Sequence, residues 1–195
     1  MGSERQSSKA MESRVIIVGS SDNVTSRGAE VDTFEHVVRC NRAPVDGWED
    51  KVGSRTTHRV VNPTYLYGRS KEGMIPLSDI HDTHILCIRN TEAKDFYKMY
   101  HSSCTIGTYR KDKWLDVCKS WGIEVKNKTM NATVGFDAIC LFAHLQPVIY
   151  GFDLEVNGIF NHYWEEQKRN STFHDHDQEK VIIREMIERE IILTL

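Results

Sequence analysis

A chain of 195 residues, 39% of them hydrophobic, is long enough for one domain with a single core, one that buries roughly 70% of its unfolded surface. The formal net charge of −3 leaves no basic footprint for nucleic acid and no attraction to an anionic membrane surface. No apolar run approaches the roughly 20 residues that span a bilayer, and no hydrophobic signal region stands at the N-terminus, so the expectation is a soluble chain that is not exported.

Residues 1–13 are rich in Ser, Glu, Lys and Gln without periodicity and read as a disordered leader or added remnant, with one domain expected over 14–195. Val15-Ile16-Ile17-Val18 is a β-branched run that fits a fully buried parallel strand. Gly19-Ser20-Ser21-Asp22-Asn23 follows as a small-residue turn at the carboxyl end of that strand, where open α/β sheets place ligands. If a helix comes next, its free N–H groups and the side chains of Ser20, Ser21 and Asn23 suit an anionic group, which points to a nucleotide. The turn is neither a dinucleotide fingerprint nor a P-loop, and such turns also serve as plain connections.

Val37-Val38-Arg39 reads as a second strand, ending at Cys40-Asn41-Arg42-Ala43-Pro44 with Asn41 at its tip and Pro44 turning the chain. Residues 52–61 give a third strand. Asn23 and Asn41 supply amides that both donate and accept, as reading a nucleobase or ribose without charge requires. Residues 63–82 are turn-rich and form a loop over the site, in which Tyr65 and Tyr67 either anchor the loop or touch a ligand. Another buried strand is expected at 83–88, with amphipathic helices at 93–101 and 111–121, the second stopped by Gly122. Thr133 can cap a helix whose apolar face includes Phe136, Ile139, Leu141 and Phe142, followed by a strand at 148–152. This order predicts an α/β fold with a largely parallel sheet and no repeat.

Two segments carry chemistry near the end. Gly158-Ile159-Phe160-Asn161-His162-Tyr163-Trp164-Glu165 is an aromatic loop, and Phe173-His174-Asp175-His176-Asp177-Gln178-Glu179 alternates His and Asp. Asp175-His176-Asp177 is a D-x-D triplet, so a divalent ion is the main competing reading there. The five cysteines, Cys40, Cys87, Cys104, Cys118 and Cys140, lack metal or disulfide spacing and read as reduced, mostly buried thiols.

Residues 14–63 resemble the large sialylmotif of the eukaryotic-type sialyltransferases, glycosyltransferase family 29: V-G-x-S-x-N, then E-V-D-x-F-x-x-V-V-R-x-N-R-A-P, then D-K-V-G-S-R-T-T-H. The resemblance implies that this segment binds the CMP part of CMP-sialic acid. Thr133-Val134-Gly135, the apolar helix and Tyr150-Gly151-Phe152 resemble the small sialylmotif, which implies that Thr133 Oγ and the Gly135 amide face the donor. His162-Tyr163-Trp164 resembles the third motif, whose histidine sits near the CMP phosphate. His174 and Glu179 meet the last motif, H-x4-E, whose histidine is the family's catalytic base.

What the resemblance implies is a single-domain α/β/α sandwich, Rossmann-like, a GT-A-like variant with a mostly parallel central sheet. It implies transfer of sialic acid from CMP-sialic acid to a sugar hydroxyl such as a galactoside's, by one displacement with inversion and with neither metal nor cofactor. His174 is then the general base and His162 stabilises the leaving phosphate. Donor contacts are expected from Gly19, Ser21, Asn23, Asn41, Thr133, Val134, Gly135, Asp153, Phe160 and Asn161. Glu179 is expected to orient the loop or position His174, and His176 to lie at the surface or on the acceptor side. The partners implied are a CMP-sugar donor and a glycan acceptor, with no nucleic acid and the oligomeric state left open.

The chain also departs from the family pattern. Lumenal members pair a cysteine before the first strand with one in the small motif, whereas Val15 and a shortened His144-Leu145-Gln146-Pro147 stand here. That implies a reducing, cytoplasmic setting, or the Golgi lumen if the sequence is a piece of a longer protein. The sequons at Asn23, Asn127, Asn131 and Asn170 then read as unused. Asn131-Ala132 replace a frequent Tyr-Pro, which removes a phosphate-contacting tyrosine, and Phe160 replaces a frequent tryptophan. Asp153 stands where glycine is common and can reach ribose. The chain is short between the large and small motifs, which leaves acceptor preference open, and three rivals stand beside the main reading: transfer from another CMP-activated keto-sugar acid such as CMP-Kdo, a CMP-binding module that has lost turnover, and a metal-dependent transferase or hydrolase.

Overall fold

The computed structural model describes residues 13–41, 43–62, 85–89, 105–155, 162–164 and 174–195. Seven strands form one sheet: β1 Val15–Val18, β2 His36–Cys40, β3 His58–Val61, β4 Ile85–Arg89, β5 Thr105–Tyr109, β6 Val148–Tyr150 and β7 Leu193–Thr194. Their order is β5-β4-β3-β2-β1-β6-β7, and every pairing is parallel. The helices among the described residues are α1 Gly28–Val31, α2 Glu49–Val52, α3 Lys113–Ser120, α4 Val134–Phe142 and α5 His176–Glu188.

The alternation of β1 generates the layers, because successive side chains of a strand point to opposite faces. Val15 and Ile17 join a core with Val38, Val60, Ile149, Trp114 of α3, Phe136 and Ile139 of α4, and Ile182 and Met186 of α5. Ile16 and Val18 join a second core with Val37, Val148, Val31 of α1 and Val52 of α2. The four side chains of β1 are at most 2% exposed, and each such burial stabilises the fold by about 1.5–3 kcal/mol. The result is the expected α/β/α sandwich, parallel throughout its described strands.

The third strand is shorter than its sequence pattern predicts. Val52 closes the turn of α2, Gly53 follows with φ 77, and the strand begins only at His58. The reason is Arg39: its buried guanidinium takes the carbonyls of Val52, Gly53 and Arg55 and the hydroxyl of Thr56, which holds this stretch as a wrap around a cation. The last expected strand stops at Tyr150, because Gly151 turns away with φ 72. β5, α5 and β7 were not anticipated. The expected loop at 63–82, helix at 93–101 and leader at 1–12 lie outside the described residues.

Among the described residues no helix is long and apolar enough to cross a membrane. Cys40, Cys118 and Cys140 are buried free thiols and Cys87 is half-buried, while Cys104 lies outside the described residues. Burial pushes the Cys40 thiol up to about 12, which makes it a packing residue rather than a nucleophile.

Candidate active site

The order of strands decides where a ligand can sit. From β1 the sheet grows outward to β5 on one side, then the chain crosses to lay β6 and β7 on the other, so β1 and β6 flank the point where the winding reverses. Open α/β sheets bind ligands in the crevice at the carboxyl ends of such strands. The residues leaving β1 and β6 are Gly19-Ser20-Ser21 and Gly151-Phe152-Asp153, and both line a cavity of about 230 Å³.

The two strand ends are bound together. Gly19 N–H donates to Tyr150 O at 2.7 Å and Ser21 N–H to Gly151 O at 2.9 Å, which prolongs the β1–β6 ladder by three residues. A Cβ on Gly19 would stand against the Gly151 carbonyl and 2.9 Å from the Phe152 ring, so only glycine permits this approach. The expected helix directly after the turn is absent: α1 starts at Gly28, and the Gly19 and Ser21 amides are spent on β6. Ser21 instead pairs with His162 in an antiparallel bridge, while Tyr163 N–H donates to Ser20 O at 3.0 Å.

That bridge places the His-Tyr-Trp segment. His162 and Trp164 stack, with centroids 4.4 Å apart and planes 7° from parallel, and both line the cavity. Tyr163 between them points into the core, where its hydroxyl donates to the Pro44 carbonyl and its ring meets Trp48.

Asn41 closes the wall from β2. Its backbone is left-handed, φ 47, and Arg59 holds it there by donating to the Asn41 carbonyl at 2.5 Å. Its side-chain oxygen accepts from Asn62 N–H at 3.0 Å, which leaves the amide NH₂ for a ligand. Asn23 does not line the cavity; it is exposed, and its amide donates to Phe152 O at 3.0 Å. Phe160 and Asn161 lie outside the described residues.

The facing wall is the N-terminus of α4. Thr133 caps it, accepting from Phe136 N–H at 3.1 Å. Its hydroxyl and its amide both donate to Glu179, at 2.7 and 2.6 Å, so Thr133 Oγ is committed within the protein rather than aimed at the donor. The amides of Val134 and Gly135, in the first turn, have no acceptor inside the helix and border the cavity. Below them, Asp137 of α4 is 2% exposed and pairs with Arg89 of β4, while Tyr109 donates to the same carboxylate at 3.0 Å. Arg89 also donates to Ala132 O at 2.7 Å, which fixes the residue before the cap.

His174 stands just before α5. Its Nδ1 lies 2.6 Å from Asn131 O, and a carbonyl only accepts, so Nδ1 carries the proton and Nε2 a lone pair. Burial, then the nearby Arg89, hold its pKa below the ordinary value, against the raising effect of the Asn131 bond. His176 lines the cavity, its ring centroid 5.5 Å from that of His174. Glu179 does not touch His174 through any hydrogen bond; it is 4% exposed, serves Thr133, and burial raises its carboxyl to about 8. Asp175, half of the D-x-D triplet, caps α5 through Gln178 N–H and accepts from Asn127 at 3.0 Å.

Of the expected residues, Gly19, Ser21, Asn41, Thr133, Val134, Gly135, Asp153, His162 and His174 share the one cavity. Lys180 and Phe152 also line it and were not singled out from the sequence. Lys180 gave no signal, since a lysine in a helix is ordinarily solvated.

A cavity at the switch point of a parallel sheet covered on both faces, with amides and imidazoles in its wall, stands where open α/β proteins hold their ligands. The model of glycosyltransferase family 29 (sialyltransferase) matches residues 3–134, about two thirds of the chain, and the chain belongs to that family. CMP-N-acetylneuraminate-beta-galactosamide-alpha-2,3-sialyltransferase 1 of Gallus gallus is 28% identical over 188 residues, covering 85% of this chain and 53% of that protein. Sialyltransferase 2 of the same description from Mus musculus is 27% identical over 195 residues, 87% of this chain and 53% of that protein. The chain therefore spans about half the length of the curated relatives it matches.

Solved structures agree on the fold. A mammalian sialyltransferase in complex with Gal-beta-1-3GalNAc-ortho-nitrophenol superposes with a TM-score of 0.68 at 21% identity, over 94% of this chain and 69% of that one. CstII from Campylobacter jejuni in complex with the substrate analogue CMP-3FNeuAc gives 0.56 at 13% identity, over 93% and 79%.

Proposed function

We propose that this chain transfers sialic acid from CMP-sialic acid to a sugar hydroxyl, a galactoside's among them, with inversion and without a metal. The observation that carries the reading is that His162 and His174 line the same switch-point cavity as Asn41 and the first turn of α4. The names of the relatives, CMP-N-acetylneuraminate transferases acting on galactosides, and a neighbour bound to a CMP-sialic acid analogue support the donor and acceptor classes.

The chemistry follows from the charges that must move. As the acceptor oxygen attacks the anomeric carbon, its proton passes to Nε2 of His174, whose lone pair is fixed by the Asn131 bond at Nδ1. The bond from that carbon to the CMP phosphate breaks, and negative charge grows on the phosphate. His162 and the Val134 and Gly135 amides stabilise that charge. One displacement inverts the anomeric centre. A monophosphate leaving group needs no divalent ion, and the nearby carboxylates are engaged: Asp137 with Arg89, Glu179 with Thr133, Asp175 with the α5 cap. The buried free thiols fit a reducing compartment, and we place the protein in the cytoplasm on that ground.

The test is direct: protein with CMP-Neu5Ac and lactose, in EDTA, is expected to release CMP and form sialyl-lactose. His174→Ala is expected to lower transfer by about 10²–10⁴-fold while CMP still binds. Loss of wild-type transfer in EDTA would sink the metal-free mechanism. The shortened segment between the large and small motifs favours a second reading, a CMP-binding module without turnover, and CMP binding with no product on any acceptor would establish it.

A further inference from the structure

Lys180 sits in the cavity wall on α5, 6% exposed, one residue past Glu179. Its ammonium is 3.2 Å from Asp153 Oδ2 and also bonds the Glu155 carbonyl. Asp153 lines the same cavity and accepts Glu155 N–H at Oδ1, 2.9 Å. Neither side chain has a part in the roles given to His162 and His174. A buried ammonium paired with a half-buried carboxylate costs desolvation that apolar side chains of the same volume would avoid, so its polar capacity is the feature to explain.

The capacity can be counted. An ammonium has three donors, of which Lys180 spends two; a carboxylate has about four acceptor positions, of which Asp153 spends two. One donor and two acceptor positions therefore remain, on an ammonium and a carboxylate whose nearest atoms are 3.2 Å apart and whose residues line the cavity. Phe152, next to Asp153, lines that cavity too: its ring lies 2.9 Å and 3.1 Å from where Gly19 and Gly135 would carry a Cβ, so both glycines leave it room. An apolar ring beside a donor–acceptor pair fits a flat heterocycle with a donor next to an acceptor on its edge.

We propose that the Asp153–Lys180 pair reads the edge of the donor's nucleobase, the carboxylate accepting from the exocyclic amine N4 of cytosine and the ammonium donating to N3. This rests on the CMP-donor reading above. A ribose diol presents two hydroxyl donors, which a lone carboxylate satisfies; the ammonium beside it supplies what cytosine needs and a diol does not. With the phosphate held by His162 and the first turn of α4, as in the mechanism proposed above, uracil turns its O4 acceptor toward the carboxylate and its N3–H toward the ammonium, which leaves both unsatisfied.

Isothermal titration of CMP, UMP and 2′-deoxy-CMP tests this. Wild-type protein is expected to prefer CMP over UMP by at least about tenfold. Asp153→Asn, whose amide can both accept and donate, is expected to erase most of that preference, and Lys180→Met to weaken CMP more than UMP. The doubly exchanged Asp153→Lys/Lys180→Asp protein keeps a pair but reverses its order, and is expected to favour UMP. A preference unchanged in all three variants, or CMP and UMP weakened by one common factor alongside a lower melting temperature, overturns the inference and leaves the donor reading intact. If Asp153→Asn abolishes the preference for CMP over 2′-deoxy-CMP instead, the pair reads ribose and the base assignment falls. Wild-type protein that binds none of the three nucleotides overturns the donor reading itself.

Discussion

Glu179 receives both the amide and the hydroxyl of Thr133 from 46 positions away in the chain, at 2.6 and 2.7 Å. The contact ties the start of α5 to the cap of α4, and so fixes His174 and His176 relative to the Val134 and Gly135 amides across the cavity. It also explains why a carboxyl is tolerated at 4% exposure: as an anion it accepts twice, and as an acid it can donate to Thr133 Oγ.

Burial raises the Glu179 carboxyl to about 8, against about 4.5 in an unfolded chain. Between those values the folded protein holds a proton that the unfolded chain has released, so stability falls as pH rises through the window, by up to about 1.4 kcal/mol per pH unit. Asp137, raised to about 6, acts in the same direction but is largely spent about one pH unit above that value. His174 and His176, both lowered, add stability as pH rises through 6.5 and level off about one pH unit above it. The melting temperature is therefore expected to fall from pH 7.5 to 8.5 in the wild type and to stay level in Glu179→Gln. A parallel decline in the two proteins would contradict the assignment.

Arg89 and Asp137 are 6% and 2% exposed, and the pair also carries Tyr109 and the Ala132 carbonyl. Asp137→Ala leaves the guanidinium buried without its counter-charge and is expected to cost about 3–5 kcal/mol in urea unfolding. The double replacement Arg89→Met/Asp137→Leu removes both charges and is expected to recover much of that loss. A single-variant loss under 1 kcal/mol would mean that the pair is solvated rather than buried.

The layer structure was legible because it rests on the simplest signals: a β-branched run at Val15–Val18, an alternation that serves two cores, and a Thr cap at 133. Three things were hidden by buried charge. Arg39 pulls residues 52–57 out of a strand pattern, and a sequence does not announce that its arginine lies inside. The α5 helix carries Glu179 and Lys180 on its inner face, which breaks the apolar periodicity by which a helix is recognised. The Asp153–Lys180 pair and the Thr133–Glu179 contact are long-range, so no local pattern encodes them. Asn23 was legible as an amide near the cavity but not as one spent on Phe152 O.

Gly19 is the narrowest point between β1 and β6. Gly19→Ala puts a methyl group against the Gly151 carbonyl and the Phe152 ring, neither of which is a flexible chain end. A loss of about 1–3 kcal/mol is expected, together with weaker CMP binding, because the same displacement moves both strand tips at the cavity. Gly107, whose Cβ direction meets no atom of the described residues within 4 Å, is the control: Gly107→Ala is expected to leave both readouts unchanged.

Under the proposed mechanism, the protonation of His174 sets the pH dependence of transfer. As general base it must be neutral, and burial keeps its pKa below the ordinary 6.5, so kcat/KM is expected to rise with pH on the acid side with a midpoint below pH 6.5. His174→Gln replaces the imidazole by a group that can still donate to Asn131 O but cannot take up a proton. Its residual activity is therefore expected to be low and to lose the acid limb, while CMP affinity stays within about twofold. If the acid limb persists unchanged in His174→Gln and disappears in His162→Gln, the base lies on the β1 side of the cavity and the two imidazoles exchange roles. The solvent isotope effect on the plateau rate separates a chemical step from product release, and a value near unity would place the limiting step after proton transfer.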